Sequence, residues 1–401
     1  MRQLIPAFAS LLAAATLIGA PAAQAAAPHT CDGRAATIVG TNRHDDLQGT
    51  EFDDVVWLGK GSDVFDGGAG NDIICGGGGK DSIVGGVGDD RIFGEDGTDT
   101  LAGNADNDLI NGGAAKDSIA GGIGDDRLRG GVADDFFHED LGDDKIFGGK
   151  GRDWLSYFAF YSGSTGIRVD AAAHTVDGAG HDKTVGVETY EGTDLDDVMV
   201  GGPGDDDLRA RSGDNLVQGN GGNDYLEAFG GVVRAGEGDD FVSAGATVDA
   251  YLGAGNDSAT VAFGSPRVYG ESGNDIFAVS KKEQHAFLDG GSGENRISFR
   301  GAGRRVTANI GLGTASWRDS DMSFRAVQNL AGSRKSDRLS GSPVSDFIVG
   351  GGGNDVVRGL GGNDLLQGGP GTDTLNGGPD YDICSGERYA GCEYSARPAL
   401  G

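Results

Sequence analysis

The chain has 401 residues, of which 77 are glycine, and its 62 acidic residues outnumber the 32 basic ones to leave a formal charge of −30. With aromatic residues at only 7%, a conventional close-packed core of two or three ordinary domains is excluded. Nucleic acid is excluded as a partner because its phosphates would be repelled; cations are the natural counterpart.

Arg2 is followed by an apolar run from Leu4 to Ile18 and by the small-residue string APAAQAAAP. That layout predicts a secretory signal peptide over 1–25, cut after Ala25, since Ala23 and Ala25 satisfy the A-x-A rule and a cut after Ala27 would place Pro28 next. Neither this run nor any later one reaches the ~18 apolar residues of a membrane span. A secreted, extracellular protein is therefore expected. Residues 26–39 read as an N-terminal cap. The four cysteines, Cys31, Cys75, Cys384 and Cys392, fit an oxidising compartment and allow three connectivities. Local bridges, Cys31–Cys75 and Cys384–Cys392, are the expected choice; a four-thiolate zinc site is the rival, but no CxxC spacing supports it.

From Gly40 to Ser156 a nine-residue register runs unbroken for 13 units. Its sixth residue is always aspartate: Asp45, Asp54, Asp63, Asp72, Asp81, Asp90, Asp99, Asp108, Asp117, Asp126, Asp135, Asp144 and Asp153. Its eighth is always apolar, from Leu47 and Val56 through to Ile146 and Leu155. A helix with glycine at this density would lose about 1 kcal/mol per glycine relative to alanine. The unit divides instead into a glycine-rich turn and a short x-U-x strand whose middle side chain points inward. One such strand cannot bury its apolar face, whereas stacked copies can, two nonapeptides to a turn. An all-β parallel solenoid is predicted, about 31 Å long over the first array at about 4.8 Å per turn.

Stacking aligns the aspartates along both edges, and like charges several ångströms apart repel. A hard divalent cation between successive loops removes that conflict, because calcium accepts 6 to 8 oxygens from carboxylates and carbonyls. The units GGAGNDIIC, GGVGDDRIF, GGGGNDVVR and GGPGTDTLN resemble the GGxGxDxUx repeat of the RTX, or haemolysin-type, calcium-binding β-roll family. The resemblance implies multiple calcium ions as cofactors, each held between one loop and the next but one by carboxylates and by glycine carbonyls. On this sequence it nominates Gly68, Gly70, Gly77, Gly79, Gly86, Gly88, Gly351 and Gly353 beside the aspartates, with 58–102 and 350–376 as the best-formed regions. At most 11 sites follow for the first array and four for the last. Fewer are expected to fill, because Arg43, Phe52, Asp106 and Ala115 replace the fourth glycine of their units. Many members of the family are exported through an uncleaved C-terminal signal, and the N-terminal leader here departs from that pattern.

Residues 157–191 break the register and are read as an irregular solenoid insert, a widened rung. A degenerate array follows over 192–298, with Asp197, Asp206, Asp224, Asp240, Asp257 and Asp275 in the sixth place and Asn215 and Asn295 replacing aspartate twice. A second irregular insert, 299–331, parallels the first: VETYEGTDLDDVMVGG aligns with VQNLAGSRKSDRLSGS, so that Gly192 matches Gly332. A regular array over 332–385 supplies Asp337, Asp346, Asp355, Asp364, Asp373 and Asp382, and 386–401 form a C-terminal cap and tail.

Two further segments draw notice. The aromatic stretch WLSYFAFYSG (154–163) reads either as the filling of an irregular rung or as a carbohydrate-stacking platform. From Arg296 to Arg338 nine basic residues face three acidic ones, either neutralising acidic loops or holding an anionic polysaccharide. No HExxH, G-x-S-x-G or phosphate-loop motif is present, and carboxylate pairs are too common to nominate a glycosidase site. The reading is a non-catalytic calcium-binding solenoid with a structural or surface-interaction role. The alternatives are a polysaccharide lyase or epimerase, or a lectin-like binder of extracellular polysaccharide. Oligomeric state is left open.

Overall fold

A computed structural model describes residues 29–138, 141–158, 164–280 and 284–395. The expected signal peptide, residues 159–163 of the aromatic stretch and the last residues of the tail, 396–401, lie outside the described residues.

Among the described residues there is no helix; every regular element is a short strand. Each x-U-x segment forms a strand that pairs in parallel with the one a full turn later: Ile74 with Ile92 and Ile92 with Ile110 on one face, Ile83 with Leu101 and Leu101 with Ile119 on the other. The repeat of the backbone is thus two nonapeptides, and the solenoid is two facing parallel sheets joined at both edges by glycine-rich turns. Period-2 alternation turns the eighth residue inward. From Val56 to Leu155 each of these side chains is at most 1% exposed, and together they form one continuous core. A β-branched or aliphatic side chain per strand suffices because the two sheets stand close. In the degenerate array alanine replaces the glycine after several x-U-x segments and joins the core, as Ala228, Ala235 and Ala244 do.

Both inserts are continuous with this core. After Trp154–Ser156 the chain crosses to the other sheet and runs Arg168–Asp170, Thr175–Asp177 and His181–Val185 as an antiparallel meander. The meander is wedged in parallel between Lys145–Lys150 on one side and Val198–Val200 on the other. The opposite sheet passes directly from Trp154–Ser156 to Thr189–Glu191. The second insert repeats this device with Thr307–Asn309, Thr314–Trp317 and Ser320–Arg325. One face therefore gains two strands over the other at each insert.

The ends are closed by the cysteines. Thr30–Cys31 and Arg34–Ala35 form a small hairpin that lies on the outer face of one sheet. There Cys31 is bonded to Cys75, the His29 ring stacks on Trp57 at 3.9 Å, and Asp32 pairs with Arg91 at 2.7 Å. At the far end Cys384, in an eighth-residue core position, is bonded to Cys392. No helix of the described residues is long and apolar enough to cross a membrane.

Candidate cation-binding loops

The sixth-residue aspartates line both edges of the solenoid in the first and last arrays, whereas from Asp206 to Asp275 they follow one another along a single edge. All are buried except Asp45 and Asp206, which are half-buried. One oxygen of each is held by the backbone. The N–H of Asp72 donates to Asp90 Oδ1 at 2.8 Å and that of Asp90 to Asp108 Oδ1 at 2.8 Å; on the other edge Asp81 donates to Asp99 and Asp117 to Asp135, both at 2.8 Å. This ladder continues through the degenerate array although its turns vary from 16 residues (Asp224 to Asp240) to 20 (Asp275 to Asn295). Into the first insert it passes to Asp182, whose Oδ1 accepts from Asp144 at 3.0 Å. The sequence reading missed this ladder; its trace was the invariant sixth position itself.

The second oxygen divides the loops into two kinds. In the first kind, Oδ2 of Asp63, Asp72, Asp81, Asp90, Asp99, Asp108, Asp117, Asp126, Asp135, Asp153, Asp224, Asp240, Asp257, Asp275, Asp355, Asp364, Asp373 and Asp382 is buried without a hydrogen-bond donor. In the second, the N–H of the loop's second residue donates to it: Thr41 to Asp45 at 2.6 Å, Thr50 to Asp54 at 2.8 Å, Thr193 to Asp197 at 2.9 Å, and Gly202 to Asp206, Ser333 to Asp337 and Ser342 to Asp346 at 2.6 Å each. These six are the first two loops of each of the three arrays, one on each edge.

The backbone explains the division. In loops of the first kind the second residue has positive φ, 123° at Gly86 and 106° at Gly351, a region glycine enters without steric cost. Thr41, Thr50, Thr193, Gly202, Ser333 and Ser342 are absent from that region, and their N–H groups reach the carboxylate. All eight glycines nominated from the sequence, Gly68, Gly70, Gly77, Gly79, Gly86, Gly88, Gly351 and Gly353, have positive φ. Arg43 and Phe52 sit in self-closed loops, whereas Asp106 (φ 76°) and Ala115 (φ 75°) adopt the glycine conformation despite their side chains.

The first glycine of the unit, which sequence reasoning passed over, shapes the space beside the open oxygen. A Cβ on Gly94 would stand 2.6 Å from Asp99 Oδ2 and 2.5 Å from the Gly112 carbonyl oxygen; on Gly350 it would stand 2.5 Å from both Asp355 Oδ2 and the Gly368 carbonyl. Acceptor thus faces acceptor across a gap that glycine leaves open at Gly94 and Gly350; in the units of Asp63, Asp240 and Asp257 the first place is held by Leu58, Ala235 and Leu252.

Asn215 shows what that gap requires. Its Oδ1 takes the ladder bond from Asp197 at 2.9 Å, as an aspartate would, and its Nδ2 donates to the carbonyls of Arg211 (3.1 Å) and Ser212 (3.2 Å) in its own loop. Asn295 likewise directs Nδ2 to the Ala326 carbonyl at 3.1 Å. Where asparagine puts a donor, the neighbouring aspartates put a negatively charged acceptor. A buried carboxylate oxygen beside carbonyl oxygens lacks a positive partner, which a hard cation would supply.

The sequence profile of the RTX calcium-binding nonapeptide repeat matches residues 39–74, 76–110, 102–137, 140–156, 191–226, 331–366 and 349–384, just over half of the chain. The chain belongs to this family. No curated protein is significantly similar to it.

Among the described residues, no three His, Cys, Asp or Glu side chains gather as a cluster. The sixth-place carboxylates come at most one to a turn on an edge, so carbonyl oxygens would supply much of any coordination sphere. Such a mixed set suits calcium rather than a metal that prefers nitrogen or sulfur. With no cation in place, burial pushes the carboxyl of Asp108 up to about 8 and those of Asp117, Asp135, Asp240, Asp275, Asp355 and Asp364 to about 7. Neighbouring carboxylates add to the shift, and the ladder hydrogen bond opposes it. The protein alone does not satisfy these charges.

A second, exposed ladder also escaped the sequence reading. On one edge the fifth residues alternate as Asp53, Asn71, Asp89, Asn107 and Asp125, each accepting the N–H of the residue a turn later at 2.8–3.0 Å. Its signal, Asx at every second unit, was visible at a period of 18. In the aromatic stretch, the Trp154 ring has the Arg209 guanidinium 4.4 Å from its centre and the Phe136 ring at 5.6 Å. Arg209 in turn is bound to the buried Asp207 at 2.7 and 2.8 Å. Those contacts occupy the ring instead of leaving it free for a sugar.

Proposed function

We propose that this protein is a secreted, non-catalytic solenoid that takes up calcium along both edges, and that its folding is coupled to that uptake. Two structural disulfides fit an extracellular setting. The observation that carries the reading is the contrast between Asn215, whose amide meets its loop carbonyls, and the aspartates that present an unpartnered Oδ2 in the same place.

The proposed ligands are the 18 aspartates with an open Oδ2, together with loop carbonyls such as those of the nominated glycines. Asp45, Asp54, Asp197, Asp206, Asp337 and Asp346, which spacing alone places among the ligands, are left out because the second residue of each loop occupies the oxygen. Calcium, when bound, supplies two positive charges and accepts oxygen donors at about 2.3–2.6 Å. The chain's own part is to hold the donors. The ladder fixes Oδ1 and so aims Oδ2, the first glycine keeps the gap open, and the core sets the distance between turns. In self-closed loops the backbone meets Oδ2 without an ion, although Oδ1 of Asp346 is buried without a donor; each array thus opens on turns that close Oδ2 themselves.

Affinity of about 10⁻⁴–10⁻³ M per site, the range of extracellular modules, matches a protein that orders only after export, with each filled site adding to stability. The test is a calcium titration of chelator-treated protein followed by circular dichroism and calorimetry. Cooperative recovery of β signal with calcium, and not with magnesium, is expected. Full β signal in chelator at neutral pH, or equal recovery with magnesium, overturns the reading.

A further inference from the structure

The second insert carries a groove whose sign opposes that of the rest of the molecule. It has a volume of about 520 Å³ and is lined by Arg300, Arg304, Arg318, Arg334, Lys335 and Trp317. Its cations come from three places that the fold brings together: the turn after Arg296–Ser298, the turn between Thr314–Trp317 and Ser320–Arg325, and the opening loop of the last array. The five basic side chains are exposed. Among the described residues only Arg318 has an acidic partner, Asp319 at 2.9 Å.

A second feature lies in the groove wall. Trp317 is only 3% exposed, lies edge-on to Phe299 at 5.7 Å and lines this groove, yet its indole N–H has no acceptor. The indole nitrogen is a donor only, and leaving it unmet away from water is unfavourable. Cationic donors outnumber acceptors here, where Asp319 is the one acidic residue of the lining and is paired with Arg318, the reverse of the aspartate loops.

The first insert shows that the fold does not require this arrangement. Its matching turn is Gly178, Ala179 and Gly180 where the second has Trp317 to Ser320, and its matching loop carries Asp194 and Leu195 where the second has Arg334 and Lys335. Nor do Arg334 and Lys335 displace a cation. Their loop is self-closed, with Ser333 Oγ donating to Asp337 Oδ1 at 3.0 Å and the Lys335 N–H donating to Ser333 Oγ at 3.0 Å.

We infer that this groove is a binding site for a compact oxyanion of the sulfate or phosphate class, either free or borne on a sugar. Planar guanidinium groups match such anions through paired hydrogen bonds, and Trp317 forms part of the wall against which the anion would rest. A long polyanion fits poorly, since on leaving the groove it would run along acidic loops of a chain with formal charge −30.

The test uses the full chain with calcium present, titrated with sodium sulfate and with glucose 6-sulfate. Sodium chloride at equal ionic strength serves as the baseline, and tryptophan fluorescence and calorimetry as readouts. Saturable binding at one site is expected. The R304Q/R334Q double variant should lose about tenfold or more in affinity and W317F several-fold, with unchanged far-ultraviolet circular dichroism. Both arginines are exposed, so the double variant remains informative even if W317F folds poorly. Tighter binding of the sugar sulfate identifies a saccharide-borne group, and equal binding a free ion. Titrations indistinguishable from chloride, or a double variant with wild-type affinity, overturn the inference.

Discussion

The side-chain amide of Asn215 donates to the carbonyl oxygen of Arg211 over 3.1 Å, in the place where Asp224 in the following unit presents a bare carboxylate oxygen. The two side chains differ by one atom, and that atom decides whether a loop closes by itself. Asp90→Asn should therefore convert a calcium loop into an Asn215-like one. The ladder bond from Asp72 would remain and the new amide would face the loop carbonyls. The expected result is fewer calcium ions bound by calorimetry and a lower calcium concentration at the folding midpoint, whereas Asp90→Ala should lose ions and raise that midpoint. A midpoint raised by the asparagine as much as by the alanine would contradict the proposed equivalence.

Self-closed loops should respond differently. Thr193 is buried, and its hydroxyl donates to Asp197 Oδ1 at 2.9 Å. Thr193→Val keeps the shape and removes the donor, at a cost of about 1 kcal/mol. The loss should be the same at saturating and at limiting calcium, with the number of bound ions unchanged. Thermal melts at the two concentrations check this; a loss that grows with calcium would place an ion in this loop.

Ala115 holds φ at 75° in the fourth place of its unit, where most units have glycine. A left-handed conformation costs a non-glycine residue about 1–2 kcal/mol, partly offset by the greater unfolded-state entropy of glycine, about 0.4–1 kcal/mol. Ala115→Gly should then stabilise the calcium-bound protein by up to about 1 kcal/mol. Gly88→Ala should destabilise it, because its Cβ would collide with the Gly70 carbonyl. Melting temperatures of the two variants that moved in the same direction would refute the steric account.

Acidity gives a fourth check. Burial raises Asp108 to about 8 and Asp117, Asp135 and Asp355 to about 7 when no cation is present, above the unfolded value of about 3.9. Between those limits the folded chain holds protons that the unfolded chain has released, so stability falls as pH rises. The calcium-free protein should be most stable near pH 4 and lose stability progressively towards pH 8. Calcium, which requires the ionised form, should bind more tightly over the same window and release protons as it does so. Melting curves in chelator across this range, and proton release measured by calorimetry in two buffers, test both halves. A calcium-free stability that rose with pH would exclude the proposed burial of charge.

Much of this architecture is a consequence of the period. An apolar residue at every eighth place and glycine in the turns leave a chain little choice but to stack short strands, because no single nonapeptide can bury its own apolar face. Parallel pairing of Ile74 with Ile92 and the burial of Leu128 or Phe137 follow from the primary structure alone. The bridges at Cys75 and Cys384 follow from their nearness to the ends of the arrays.

Which aspartate oxygens stand open is a different matter. Asp54 and Asp72 occupy the same place in their repeats, yet one is closed by Thr50 and the other is not. The distinction rests on the φ angle of a single loop residue and on where its N–H then points. Distance in the chain is equally uninformative about the groove at Trp317, whose cations lie up to 35 positions apart in sequence, from Arg300 to Lys335. A nine-residue period fixes which face a side chain takes, since alternation along a strand is geometric. Only the folded turns decide whether an oxygen or an N–H meets a partner, because hydrogen bonds depend on direction and distance in space.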